Sequence, residues 1–120
     1  MTSYFLGIAA WLLTSFPAPS LLWHNELIKS TPAADAALAE SPTTIRLWFA
    51  EKVEPKFSSI TLMKPDSTKI EIGKPNATDD PKSFVSEIPA RLPAGGYIIR
   101  WRTAGTDGHA VRGSFKFSVK

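Results

Sequence analysis

Cysteine is absent from the 120 residues, and with it go disulfide staples, thiolate nucleophiles and every Cys-based zinc or iron–sulfur site. Histidine occurs only twice, as His24 and His109, and methionine only twice, as Met1 and Met63. There is no glycine-rich phosphate loop and no nucleophile elbow. A Ser/His/Asp set can be assembled on paper from Ser114, His109 and Asp107, but three residues so close along one strand do not take triad geometry. For these chemistries the sequence is nearly silent. Excess positive charge is also scarce: the net charge is +3. Lys52, Lys56, Lys64, Lys69, Lys74 and Lys82 are scattered over loops and strand ends, and Arg46, Arg100 and Arg102 alternate with apolar residues. That is a solvated surface and not a nucleic-acid stripe.

Charge is missing altogether from Met1 to Trp23, where the apolar run "YFLGIAAWLL" is followed by the helix-breaking "TSFPAPS". An apolar core followed by small residues is the pattern of an export signal, here without the usual basic residue in front. Residues 1–23 are expected to be that signal, and 24–120 the folded domain. A cut after Ser20 is the competing boundary. Retention as an anchor is a third reading, though Pro17 and Pro19 leave fewer than the ~20 helical residues a membrane span needs.

Beyond His24 no long period of 3.6 is found. Short alternating runs take its place: "TTIRLWFA" puts Ile45, Leu47 and Phe49 on one face, "FSSITLM" Ile60 and Leu62, "KIEI" Ile70 and Ile72, "GYIIRWRT" Tyr97, Ile99 and Trp101, and "GSFKFSV" Phe115, Phe117 and Val119. With "ELIKS" and "SFVSEI" they make seven strands, separated by turn-rich segments such as "KPDST", "GKPNATDDPK" and "ARLPAGG". A short helical turn is expected around Asp35 to Ala39. Seven short strands of this kind predict an all-β sandwich of two antiparallel sheets, with Trp101 central in the core and its N–H needing one partner.

The chemistry-bearing stretch is "RTAGTDGHAVRGSFKF", Arg102 to Phe117. Asp107 and His109 are one residue apart, so extended backbone would point both side chains to the same side. An Asp-Gly turn with a surface histidine is the plain alternative. If the first and last strands meet at one end of the sandwich, His24 joins His109, and two imidazoles with a carboxylate suit a divalent transition metal. Lack of thiolate and thioether disfavours Cu(I), and Cu(II) favours tetragonal N,O donors. Zinc hydrolysis is less attractive, because no second carboxylate stands close to His109 as a base.

From His24 to Lys120 these residues resemble the CopC/PcoC copper-resistance proteins of the bacterial cell envelope. "HNELIKSTPA" resembles that family's mature start and "TTIRLWFAEKVEPKFSSITL" its next strands. The most specific match is "LPAGGYIIRWRTAGTDGHAVRGSFKFSV", with Pro-Ala-Gly, Tyr, Trp-Arg, Asp-x-His and Gly-Ser-Phe in order. The resemblance implies a Greek-key, immunoglobulin-like β-sandwich in the periplasm that binds Cu(II) without catalysis, for sequestration, delivery or resistance. It implies a site made by the amine and ring of His24 with Asp107 and His109, and places Glu51 nearby. Glu51 is equally read as a strand-end carboxylate facing Lys52 or solvent. An inner-membrane copper importer is the implied partner. Two departures stand out: the family's methionine-rich Cu(I) loop has no counterpart around Met63, and a cut after Ser20 would turn the His24 amine into an amide. The alternatives are a metal-free immunoglobulin-like interaction module and a small oxidative copper enzyme with a histidine brace.

Overall fold

The structure, a computed structural model, describes residues 25–105 and 107–120; the proposed signal segment, its cut sites and His24 lie outside the described residues. Nine strands form two sheets: β1 Leu27–Thr31, β2 Ala37–Leu38, β3 Thr44–Phe49, β4 Ser59–Met63, β5 Lys69–Ile70, β6 Asn76–Ala77, β7 Ser83–Glu87, β8 Gly95–Ala104 and β9 Ala110–Val119. The first sheet runs β1-β3-β7-β6 and the second β2-β9-β8-β4-β5. The seven expected strands are all present. The two additions, β2 and β6, are two residues long, too short for alternation to register.

The helical turn expected at Asp35 to Ala39 is not formed. Asp35 takes a positive φ of 63°, and Ala37–Leu38 pairs in parallel with Ser118–Val119 of β9. Unpaired N–H and C=O groups along the β9 edge outcompete a single helical turn, which would have to bear the cost of nucleation on its own. "KIEI" is likewise shorter than its alternation suggests: only Lys69–Ile70 pair with β4, although Ile70 and Ile72 both pack on the core.

Alternation is what fills the core. Ile45, Leu47 and Phe49 of β3 face Phe84 of β7 across one layer, and Ile60, Leu62, Tyr97, Ile99, Trp101, Phe117 and Val119 face them from the other. Phe49 stacks on Phe84 at 5.4 Å and takes the edge of Trp101 at 5.2 Å, which ties the two sheets together at one end. At the other end Tyr97 stacks on Phe117, and its hydroxyl donates to the Pro93 carbonyl at 2.5 Å, four residues upstream. That bond satisfies a buried phenol and pins the entry to β8, in the manner of the tyrosine corner of sandwich folds. The indole of Trp101 lies across Gly113, its partner on β9.

Candidate functional site

The strands hold three chain segments at one rim of the sandwich. The first is the entry to β1, the second the connection from Ala50 to Glu54, and the third the connection from β8 to β9. Asn25 grips both backbone groups of one residue in the second segment: the Glu51 N–H donates to Asn25 Oδ1 at 2.9 Å, and Asn25 Nδ2 donates to the Glu51 carbonyl at 3.4 Å. Ala50 N–H adds a bond to the Glu26 carbonyl at 2.9 Å. The second segment meets the third through Glu54 N–H and the Ala104 carbonyl at 3.4 Å, and Ser58 Oγ lies 2.7 Å from the buried Thr103 hydroxyl. A short 3-10 turn at Pro55–Phe57 covers the end of β8. β1 and β9 lie in different sheets and do not pair. The entry to β1 and the turn before β9 are therefore linked at this rim through the β3–β4 connection.

Asp107 and His109 sit in the third segment, and local chemistry explains their pairing. Gly108 adopts φ +83°, a conformation glycine accepts without strain, and its N–H donates to the Gly105 carbonyl at 3.0 Å. Asp107 Oδ1 then accepts the His109 N–H at 3.0 Å, an Asx-turn, while Oδ2 lies 3.0 Å from His109 Nδ1. The two side chains do share a side, but because a turn folds them together and not because the backbone is extended. Both are open to solvent, at 78% for His109 and 58% for Asp107. Accepting from the His109 ring, and secondarily from the His109 N–H, holds the Asp107 carboxyl below its ordinary value.

A carboxylate on Nδ1 favours the tautomer whose Nε2 carries a free lone pair, the arrangement in which metal-binding imidazoles are commonly held. The two Asp107 oxygens each keep a further lone-pair site. Gly105 packs against this pair: a Cβ there would lie 3.3 Å from Asp107 Oδ1 and 3.7 Å from the Lys52 carbonyl. The Glu51–Lys52 backbone thus borders the turn. The Glu51 side chain is exposed, forms no ion pair among the described residues and is not drawn into a common cluster with Asp107 and His109. Among the described residues no three His, Cys, Asp or Glu side chains stand at metal-ligand spacing. Of the four residues singled out from sequence, two are brought together, Glu51 stands apart on the same rim, and His24 is outside the described residues. Asn25 was missed; its only signal was an amide side chain next to His24, which does not reveal a partner 26 residues away.

A small Greek-key sandwich with a polar, turn-held Asp–His pair at its rim defines a class of β-domain, and comparison with known proteins gives the family. The CopC domain family matches residues 27–120, and the chain belongs to it. Protein YobA of Escherichia coli K12 is 34% identical over 113 residues, covering 92% of this chain and 90% of YobA. Copper resistance protein C of Escherichia coli is 37% identical over 108 residues, covering 84% and 85%. Among solved structures, PcoC of Escherichia coli, described as a methionine-rich copper resistance protein, superposes with a TM-score of 0.71 at 36% identity, over 81% of this chain and 99% of PcoC.

Proposed function

We propose that this protein binds copper as Cu(II) in the periplasm, for sequestration, delivery or resistance, and carries out no chemistry on a substrate. Family membership supports copper as the cargo. The observation that supports Cu(II) at this rim is the Asp107–His109 turn: an oriented imidazole with Nε2 free and a carboxylate with lone pairs to spare, both open to solvent and free of sulfur. Such N,O donors suit Cu(II). The described chain has a single methionine, Met63, which is buried at 4% exposure, so thioether ligation of Cu(I) has no support here.

His24 is the proposed second imidazole, and its amine becomes a ligand when processing exposes it. Asn25, next in sequence, is clamped to Glu51 and so tethers the incoming chain to the rim that carries Asp107 and His109. Glu51 is the fourth proposed contributor, from the loop that Asn25 holds. The domain supplies a fixed frame, which lowers the ordering cost of gathering donors from distant parts of the chain.

Cu(II) titration of the exported protein, followed by its visible absorption and by competition with a chelator, tests this reading, with amino-terminal sequencing of the same sample. The expected result is one tight Cu(II) equivalent whose affinity falls in His109→Ala by more than the ~10–100-fold that loss of an outer-sphere partner costs. An unchanged affinity in His109→Ala would remove the site. Turnover of polysaccharide with ascorbate would instead favour the oxidative enzyme.

A further inference from the structure

None of the five strands β2, β9, β8, β4 and β5 carries an aspartate or glutamate, yet they carry Lys69, Arg100, Arg102, Arg112 and Lys116. Alternation sends the Trp101 and Phe117 side of β8 and β9 inward and the arginines outward. Register then brings them together: Arg102 stands directly opposite Arg112, Arg100 opposite Ser114, and on the other side Ser59 opposite Arg102 and Thr61 opposite Arg100. These six residues line one groove on the outer face. Like charges directly across a strand pair repel, and among the described residues no carboxylate lies within 4.0 Å of these three guanidinium groups. A second groove continues from the first, sharing Ser59 and Arg102, and is bordered by Phe57, Gly105 and Gly108. Phe57 is 53% exposed with the Lys56 ammonium 5.2 Å above its ring. The track thus begins among arginines and hydroxyls, passes an exposed aromatic ring and ends at the Asp107–His109 turn.

We propose that this face docks a carboxylate-rich segment of a partner protein. Planar guanidinium forks beside hydroxyls match carboxylates in charge and in hydrogen-bond geometry. Phe57 offers one apolar contact within the polar track. The arginines line a concavity between strands, which the side chains of a polypeptide can enter and the plane of a lipid headgroup layer cannot match. A partner seated there stands beside the rim turn. That position is useful for metal exchange where the copper reading holds, but the docking does not depend on it.

The test is a titration of the full-length, 15N-labelled protein, stripped of metal with EDTA, with an acetylated and amidated Glu-rich decapeptide containing one central leucine. Amide shifts should concentrate at Ser59, Thr61, Arg100, Arg102, Arg112 and Ser114 and extend to Phe57. The apparent Kd should rise at least tenfold in the R102Q/R112Q double variant. That variant relieves a repulsion and so should fold, which its own amide spectrum verifies, and a R102K/R112K variant should recover only part of the affinity because the forks are lost. Shifts spread equally over Lys64, Lys74 and Lys82, or an affinity the double substitution leaves alone, would overturn the proposal. So would binding to phosphatidylglycerol vesicles that the double substitution abolishes, which would make the face a membrane contact. Because metal is absent throughout, failure of the Cu(II) titration and failure of this one are read separately.

Discussion

Replacing Gly113 by alanine should destabilise the domain through one contact. A Cβ at that position would lie 2.6 Å from Trp101 Cζ2, 2.8 Å from Cε2 and 3.0 Å from Nε1. Carbon atoms in good contact stand about 3.5–4.0 Å apart, so the indole must retreat by about 1 Å. It has little room, being held edge-on by Phe49, which in turn stacks on Phe84. Forcing a methyl into a packed site costs about 1–3 kcal/mol, and loss of glycine's freedom in the unfolded chain returns about 0.4–1 kcal/mol. Taken at mid-range, the two leave a net loss of about 1.3 kcal/mol, which lowers Tm by roughly 5–10 °C at 4–8 °C per kcal/mol for a domain of this size. Thermal unfolding followed by near-ultraviolet circular dichroism, which reports the Trp101 environment, measures it. Gly96→Ala is the control: its Cβ would meet only Pro65 Cγ, at 3.7 Å, an ordinary contact. In a Trp101→Phe background the clashing atoms are gone, so the same glycine substitution should cost less there. A Gly113→Ala protein as stable as its parent, or a double variant with strictly additive losses, would refute the packing described for Trp101.

Other outcomes are equally specific. Asp107→Asn should weaken Cu(II) binding by more than ~10–100-fold, since it removes a proposed oxygen donor as well as the carboxylate that orients the His109 ring, as isothermal competition with a chelator would read. Asn25→Ala should lower Cu(II) affinity without unfolding the core, because it releases Glu51 and the β1 entry but touches no core residue; matched amide spectra away from the rim would verify this. Both Asp66, through its hydrogen bond from the Thr68 N–H, and Asp107, through His109, have carboxyls held below the ordinary value of 3.8. A carboxyl depressed in the folded state contributes stability above its unfolded value, and that contribution fades as pH falls through the folded one. Carbon-detected NMR titration should find both below 3.8, with Asp107 returning toward it in His109→Ala. Ser86 Oγ is buried with no hydrogen-bond partner among the described residues, so Ser86→Ala should leave stability unchanged or raise it by up to about 1 kcal/mol, since an unsatisfied buried hydroxyl is removed.

What the sequence disclosed follows the length scale of each interaction. Ile45, Leu47 and Phe49 announce a half-buried strand because alternation is a local consequence of the pleat, and all three are buried as expected. Tyr97, Ile99 and Trp101 do the same for β8. The β2 pairing was hidden because two residues cannot alternate, and its stability comes from a partner some eighty positions away. At the rim, the Asp-x-His spacing was legible but its backbone was not: Gly108 and the Asx-turn replace the extended geometry that spacing alone suggests. The grip of Asn25 on Glu51 is a tertiary contact with no local pattern. The clustering of the arginines was hidden for a related reason. Each arginine alternates with apolar residues in its own strand and looks like ordinary surface, and only the register of β4, β8 and β9 gathers them.

The position of β9 between β8 and β2 bears on when the chain can fold. Its ten residues pair with β8 along their whole length, and the backbone bonds of the 35–38 segment, from Asp35 to the Lys116 carbonyl and from Ser118 to the Ala36 carbonyl, close on it from the other flank. A growing polypeptide that has reached Ala104 but not yet Val119 leaves both neighbours with open edges and the Phe117 and Val119 slots empty. Such a chain should stay unfolded until that stretch is supplied, because neither flanking edge can close without it.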